Sequence, residues 1–298
     1  ITVKAWTFDE LYGRDGKFLD GLDQRKQAFV GEVPPNFTMW TRKPKVQRKP
    51  PRNSNGKRTK YPRLAARDAK PCEVQNLAKY SPGLASQTPQ RYRVRDSHKG
   101  PEVWDVRWHI CYRKTHDGRL VSSQCTLIVA ANVRTEEVKY FVSNRIPGRG
   151  GWTLRGLLRI AFGRWKVEAC FREAKEELGW DHFECRGWVC VHRHLSVTIV
   201  AQLFCARVRH QLCPSEIVTD AERQTLEQVR RAADVFIRCM NLPKRIRLQE
   251  YEAELVRIAY HQTRNAEASR CHRKKRIATY RSIGIDPDQI KNVDPKSP

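Results

Sequence analysis

No apolar run in this chain reaches the roughly 18 residues that suggest a membrane span. Its most apolar helical stretch, Val189 to Leu212, is interrupted by Arg and His, so no membrane partner is expected. It has no CxxC pair, although it has 10 cysteines. They are scattered and several fall inside apolar runs. Most therefore read as buried, reduced thiols of a cytoplasmic protein and not as a disulfide framework. Cys185, Cys190, His192 and His194 lie close together with His182 nearby. However, Cys190 to His194 falls within an expected helix, where His192 and His194 point to different faces, so no zinc site is expected. There is no internal repeat and no visible signal peptide. Acidic residues are also scarce, with 32 Asp+Glu against 57 Lys+Arg and a formal net charge of +25. Such a chain attracts polyanions, and nucleic acid is the expected partner because neutralising phosphates releases condensed counterions.

The chain has 298 residues, 40% of them apolar, enough for one large domain or two ordinary ones. Ile1 to Phe8 alternates apolar and polar residues and reads as a strand ended by Asp9. Gly13 and Gly16 mark a loop. Lys17 to Lys26 reads as a short helix, and Ala28 to Val33 as a second strand stopped by Pro34 and Pro35. Strand, helix and strand in this space predict a βαβ unit with parallel strands. Because the first eight residues already read as a core strand, the N-terminus is expected to be incomplete.

Thr41 to Arg67 is rich in Lys, Arg, Pro and Asn. It reads as an extended basic loop, either a solvated linker or a DNA-contacting segment. Tyr92 to Asn144 then becomes strand-like, with Asp117-Gly118 as a hairpin turn, and predicts a small antiparallel β unit. After Pro147, Gly148, Gly150 and Gly151 break the chain, helices are expected at about 153–178, 187–212, 219–238 and 246–264. A polar tail beyond Asp286 is expected to be disordered. The division expected is 1–40 (strand-helix-strand), 41–150 (basic loop and β insertion), 151–212 (two helices completing the core), 213–286 (helical basic region) and 287–298 (tail).

In the helix expected at 153–178, a turn of ~100° per residue puts Ile160, Val167, Phe171, Ala174 and Leu178 on one apolar arc. Arg164, Glu168 and Lys175 border it, with Arg172 close by. On its own, Glu168 reads as an i,i+4 partner of Arg164 and Arg172, worth only ~0.3–0.5 kcal/mol per pair. Asp9, on its own, reads as a helix N-cap or turn residue.

Longer stretches carry a resemblance. "RWKVEACFREAKEELG" resembles the helix bearing the last catalytic carboxylate of bacterial insertion-sequence transposases of the DDE type. In their motif an Arg precedes the Glu by four residues and a Lys follows it by seven, here Arg164, Glu168 and Lys175. Where that family often has a Tyr three residues before the Arg, this chain has Ala161. "ELGWDHFECRGWVCVHRHLSV", "DELYGRDGKFLDGLDQRKQAFVGEVP" and "YHQTRNAEASRCHRKKR" resemble further motifs of the branch named after insertion sequence 701. The resemblance runs from Trp6 to Gly284.

The resemblance implies an α/β chain holding part of a ribonuclease-H-like fold, with an inserted antiparallel β unit and a helical C-terminal region. It implies Mg²⁺-dependent cleavage and strand transfer of DNA, with two Mg²⁺ ions (or Mn²⁺ as a substitute) clamping the attacking and leaving oxygens. Hard carboxylate oxygens suit such ions. Asp9 at the carboxyl end of its strand and Glu168 are the implied metal ligands and catalytic residues. The first Asp of the triad would lie upstream of Ile1, so little cleavage by this chain alone is expected. Asp20 and Asp23 read as helix surface and Asp105 lies in the β insertion, so none of them replaces it. Arg164, Lys175 and Arg172 are implied phosphate contacts. Lys43, Lys45, Arg48, Lys49 and Arg58 of the basic loop, and Arg270, Lys274 and Lys275 near the end, are candidate backbone contacts. Trp152 and Tyr140 are candidates for stacking on a flipped base, against the alternative of core packing. The implied partners are DNA (terminal inverted repeats and target) and a second copy in a synaptic dimer, in a bacterial cytoplasm at the nucleoid. Two other readings stay open: an inactive DNA-binding remnant or inhibitor, and a metal-dependent nuclease of another ribonuclease-H-like family.

Overall fold

The computed structural model describes residues 3–47, 63–64, 70–97, 99–116, 124–212 and 224–293. By packing it divides into two units: residues 1–97, 101–164 and 280–297 form the first, and 165–279 with 98–100 the second.

The first unit is mixed α/β. β1 (Trp6–Phe8) leads through two short helices, α1 (Glu10–Gly13) and α2 (Gly16–Gln24), to β2 (Phe29–Val33). β1 and β2 pair in parallel, Phe8 opposite Gly31, as the βαβ pattern predicts. β3 (Thr38–Trp40), the pair β4 (Val46–Gln47) and β5 (Arg63–Leu64), and β6 (Cys72–Glu73) follow. Two short helices, α3 (Val74–Tyr80) and α4 (Pro82–Ala85), come next, then β7 (Gln90–Ser97), β8 (Gly100–Arg113), β9 (Cys125–Asn132) and β10 (Val138–Ser143). The antiparallel strands are not a separate sheet. β10 pairs antiparallel with β2, Phe141 opposite Glu32, and the order runs β1-β2-β10-β9-β8-β3-β6, with β7 beside β8. The Asp117-Gly118 turn and most of the basic loop, including Arg48, Lys49 and Arg58, lie outside the described residues.

Alternation along the strands builds a core on each face of this sheet. Leu127 and Val129 join Phe8, Leu19, Leu22, Phe29 and Val33 on the face covered by α2 and α3. Ile128 and Ala130 join Val30, Trp104, Val106 and Phe141 on the other, beneath α5 (Leu154–Ala161). The helix α5 is fixed by Leu154, Leu157, Leu158 and Ala161, spaced on one stripe and all buried, and by Thr153, whose hydroxyl caps it by accepting the Gly156 N–H at 3.0 Å.

The single helix expected at 153–178 is two helices. Residues Phe162–Arg164 form a tight 3-10 turn around Gly163, and α6 (Trp165–Leu178) starts afresh in the second unit. Glycine weakens a helix interior, which makes this the natural place for the ladder to change pitch. The expected apolar arc is split with it: of its members on α6 only Ala174 is buried, while Val167 and Phe171 are exposed. Gly179 ends α6 in a left-handed conformation (φ +63°), with the Trp180 N–H closing onto the Ala174 carbonyl.

α7 (Trp188–Leu212), α8 (Leu226–Cys239) and α9 (Lys244–Ser282) follow. Leu178, Cys205, Val208, Leu226 and Val229 form the core shared by α6, α7 and α8. By length and composition α7 is long and apolar enough to cross a membrane, although it carries Arg193, Arg207 and Arg209. α9 runs far past the expected 264, because no Gly or Pro interrupts it before Gly284. Nor is the segment after Asp286 wholly without structure. Pro287–Gln289 form a 3-10 turn, β11 (Lys291–Asn292) pairs in parallel with β7, and Val293 is buried. Two apolar residues, Ile290 and Val293, pin a stretch whose overall polarity suggested disorder.

The thiols also depart from expectation. All nine described cysteines are free, but only Cys111, Cys125, Cys205 and Cys239 are buried, while Cys72, Cys170, Cys190 and Cys271 are exposed. Burial pushes the Cys111 thiol far above its ordinary range, and the facing Cys125 adds to this.

Candidate functional site

Asp9 sits where the strand pattern puts it, directly after β1. Its Oδ1 caps α1, accepting the N–H groups of Leu11 (3.1 Å) and Tyr12 (3.4 Å). The N-cap reading of Asp9 therefore holds, and it does not compete with a ligand role, because Oδ2 makes no hydrogen bond among the described residues. The turn is seated tightly on β2. The Gly13 N–H donates to the Asp9 carbonyl at 2.8 Å, and a Cβ on Gly13 would lie 1.8 Å from the Glu32 carbonyl oxygen.

Glu168 lies in the first turn of α6 and is exposed. It belongs to the second unit and Asp9 to the first, so each is described within its own unit. Among the described residues no group of three or more His, Cys, Asp or Glu side chains is gathered closely enough to hold a metal ion. That includes the Cys185–His194 stretch, where His194 bonds the Gly179 carbonyl (2.8 Å) and His192 packs against the Trp188 ring (centroids 4.0 Å apart).

Asp20, Asp23 and Asp105 are committed elsewhere. Asp20 and Asp23, read as helix surface in the sequence, flank the buried Arg113 guanidinium at 2.5 Å each. Asp105 holds Arg91 through two hydrogen bonds of 2.7 and 2.9 Å. None of the three offers an open carboxylate.

Glu32, which sequence reasoning passed over, is placed differently. It occupies the next position along β2 from Gly31, as Asp9 does along β1 from Phe8. Its side chain is 12% exposed and takes Lys139 Nζ at 2.8 Å, with Arg164 at 3.9 Å. Burial alone would lower the Lys139 pKa, but the hydrogen bond and charge of Glu32 outweigh it and hold the ammonium above its ordinary value. The only signal in the sequence was an acidic residue in an otherwise apolar strand, FVGEV.

The cationic candidates separate by place. Arg164 is half-buried beside Glu32. Arg172 and Lys175 are exposed on α6, with Lys175 at 4.0 Å from Asp181. Lys43 and Lys45 are exposed in the first unit. Arg270, Lys274 and Lys275 are exposed on α9. Both aromatic candidates are partly buried. Trp152 packs partly buried against the α5-side core, with the Arg145 guanidinium 5.8 Å from its ring. Tyr140 packs partly buried against the α2-side core.

Residues 1–101 match the family model described as DDE superfamily endonuclease. The matched stretch holds Asp9, Glu32 and β1 to β7, and Glu168 lies outside it. No curated protein matches the chain.

Proposed function

We propose that this chain is the catalytic part of a DDE-type transposase, which cleaves DNA and joins strands during cut-and-paste movement of an insertion sequence. The observation that carries the reading is the likeness of residues 1–101 to the DDE superfamily endonuclease model, over a stretch in which Asp9 ends a strand of a parallel pair. Carboxyl ends of parallel strands are where ligand sites of α/β sheets gather. The likeness supports a nuclease- or transposase-type function on DNA, and the net charge of +25 supports the same partner.

In this reading Asp9 and Glu168 are two of the carboxylates that hold Mg²⁺. The donors fit that ion: both are hard oxygens, Asp9 keeps Oδ2 open while Oδ1 caps α1, and Glu168 is exposed at the start of α6. When bound, the metal supplies Lewis-acid stabilisation of the phosphoryl oxygens. The chain's own groups do the rest. Arg164, Arg172 and Lys175 contact backbone phosphates and set the register of the strand against the carboxylates, as charge-assisted donors do. Lys43, Lys45, Arg270, Lys274 and Lys275 extend the contact along the backbone, with the element's terminal repeats as substrate and a second copy completing the synaptic complex.

The test is strand cleavage and joining by the full translated product of the reading frame, with Mg²⁺ and an end-bearing duplex. Asp9→Asn and Glu168→Gln are each expected to lower cleavage by at least about 100-fold, on the scale of removing one preorganised group that stabilises developing charge, while duplex binding persists. Undiminished cleavage by either variant would sink the site assignment. Cutting of any duplex without end preference or joining would point to another nuclease of this fold.

A further inference from the structure

We infer that Glu32 is a positioning residue for DNA: its carboxylate holds Arg164 at the carboxyl end of β2, beside Asp9, in the place from which the guanidinium meets a phosphate. The inference rests on the proposed DNA-processing function but concerns a residue which that reading does not use. All the groups involved belong to the first unit.

Three observations carry it. The first is register. Phe8 stands opposite Gly31, so the next position on each of the two parallel strands carries Asp9 and Glu32. Alternation puts Glu32 on the Val30 face, the face that packs under α5. The second is the source of Arg164. It closes the 3-10 turn that follows α5, and this turn touches β1. The third is charge. A carboxylate in a half-apolar strand is costly unless paired. Glu32 is paired twice, by Lys139 at 2.8 Å and by Arg164 at 3.9 Å, while Glu137 reaches Lys139 at 3.6 Å. Lys139 alone would satisfy the carboxylate. Without Glu32, Lys139 and Arg164 would lose the carboxylate they share, and Arg164, held at the longer distance, would be the more easily displaced of the two.

This gives a prediction whose sign is opposite to bulk electrostatics. Removing a negative charge from a DNA-binding surface normally tightens binding. Here it should weaken it, because it releases a phosphate contact. The experiment is a double-mutant cycle with the full chain on a fluorescent duplex, read by anisotropy across a salt series. Arg164→Gln is expected to weaken binding roughly tenfold, as for one charged hydrogen bond at the modest end, and to reduce the salt slope by about one. Glu32→Gln is expected to do the same, and the double variant to be no weaker than Arg164→Gln.

If Arg164→Gln weakens binding but Glu32→Gln has the same effect in both backgrounds, tighter, weaker or none, the positioning role is overturned and the functional reading stands. If Arg164→Gln changes neither affinity nor slope, or the chain does not bind the duplex, both fall. Circular dichroism checks that Glu32→Gln is folded. Should it not be, Glu32→Asp replaces it in the same cycle with the same outcomes, since retracting the carboxylate by one methylene breaks the 3.9 Å contact first.

Discussion

Gly31 has no side chain because the Phe8 ring occupies the space one would need: a Cβ there would lie 1.9 Å from the ring. Phe8 in turn packs edge-on against Phe18 at 5.1 Å and at a tilt of 39° against Phe29 at 5.7 Å. The close approach of ring to strand therefore sets how β1 lies on β2, and with it where Asp9 emerges. Gly31→Ala should destabilise the chain by roughly 2–3 kcal/mol, the cost of overpacking a core that cannot relax. Urea unfolding followed by tryptophan fluorescence measures it, and a change below about 0.5 kcal/mol would show that β1 shifts freely. At this scale Asp9 was legible in the sequence, since an acidic residue closing an alternating run serves both as cap and as strand end. Glu32 was not, because its meaning depends on Lys139 and Arg164, more than 100 residues away in the chain.

At the scale of elements, the crossover helix α2 is fastened to the sheet by charge as well as by Leu19 and Leu22. Arg113, the last residue of β8, is 2% exposed between Asp20 and Asp23. Asp23 also receives the Asn144 amide at 2.9 Å, and the Asn144 side-chain oxygen accepts the Phe29 N–H at 3.0 Å. One network thus ties α2, β8, the end of β10 and the start of β2. Arg113→Met is expected to cost about 3–5 kcal/mol, because it leaves two carboxylates facing a buried site without their cation. Asp20→Asn should cost distinctly less, since Asp23 still pairs the guanidinium. Thermal melts of both variants read the difference, and equal losses would show that Asp23 alone does not hold the guanidinium. The network also shows why sequence periodicity misplaced Asp20 and Asp23. On α2 they fall on the polar side, and only the arrival of β8 makes that side an interior. The elements set by local pattern were readable: β1, α2, β2, the strands from 90 to 143 and the helices that follow. Those set by a single residue or a distant neighbour were not. Gly163 divides the helix that carries Glu168, and β7 gives the polar segment after Asp286 a partner.

For the whole molecule, the excess of 57 basic over 32 acidic residues works against compactness and favours association with polyanions. Much of the basic surface is spread out. Lys43 and Lys45 are on the first unit, Arg172 and Lys175 on α6, and Arg270, Lys274 and Lys275 on α9, all of them exposed. An extended partner with regularly spaced negative charge suits this distribution better than a small anion held in one pocket. If roughly six of these cations meet phosphates, the slope of log K against log salt should be about −5, and affinity for a duplex should fall by roughly 10³ between 50 and 200 mM salt. Contacts to the backbone carry no sequence information, so a duplex of shuffled sequence should give nearly the same slope even if its affinity differs. Anisotropy titrations at four or five salt concentrations on both duplexes measure this. A slope shallower than about −2 would mean that the charge serves something other than a nucleic-acid backbone. A steep slope shared by both duplexes would place the recognition of ends in groups other than the basic residues named here, and so in contacts to base edges.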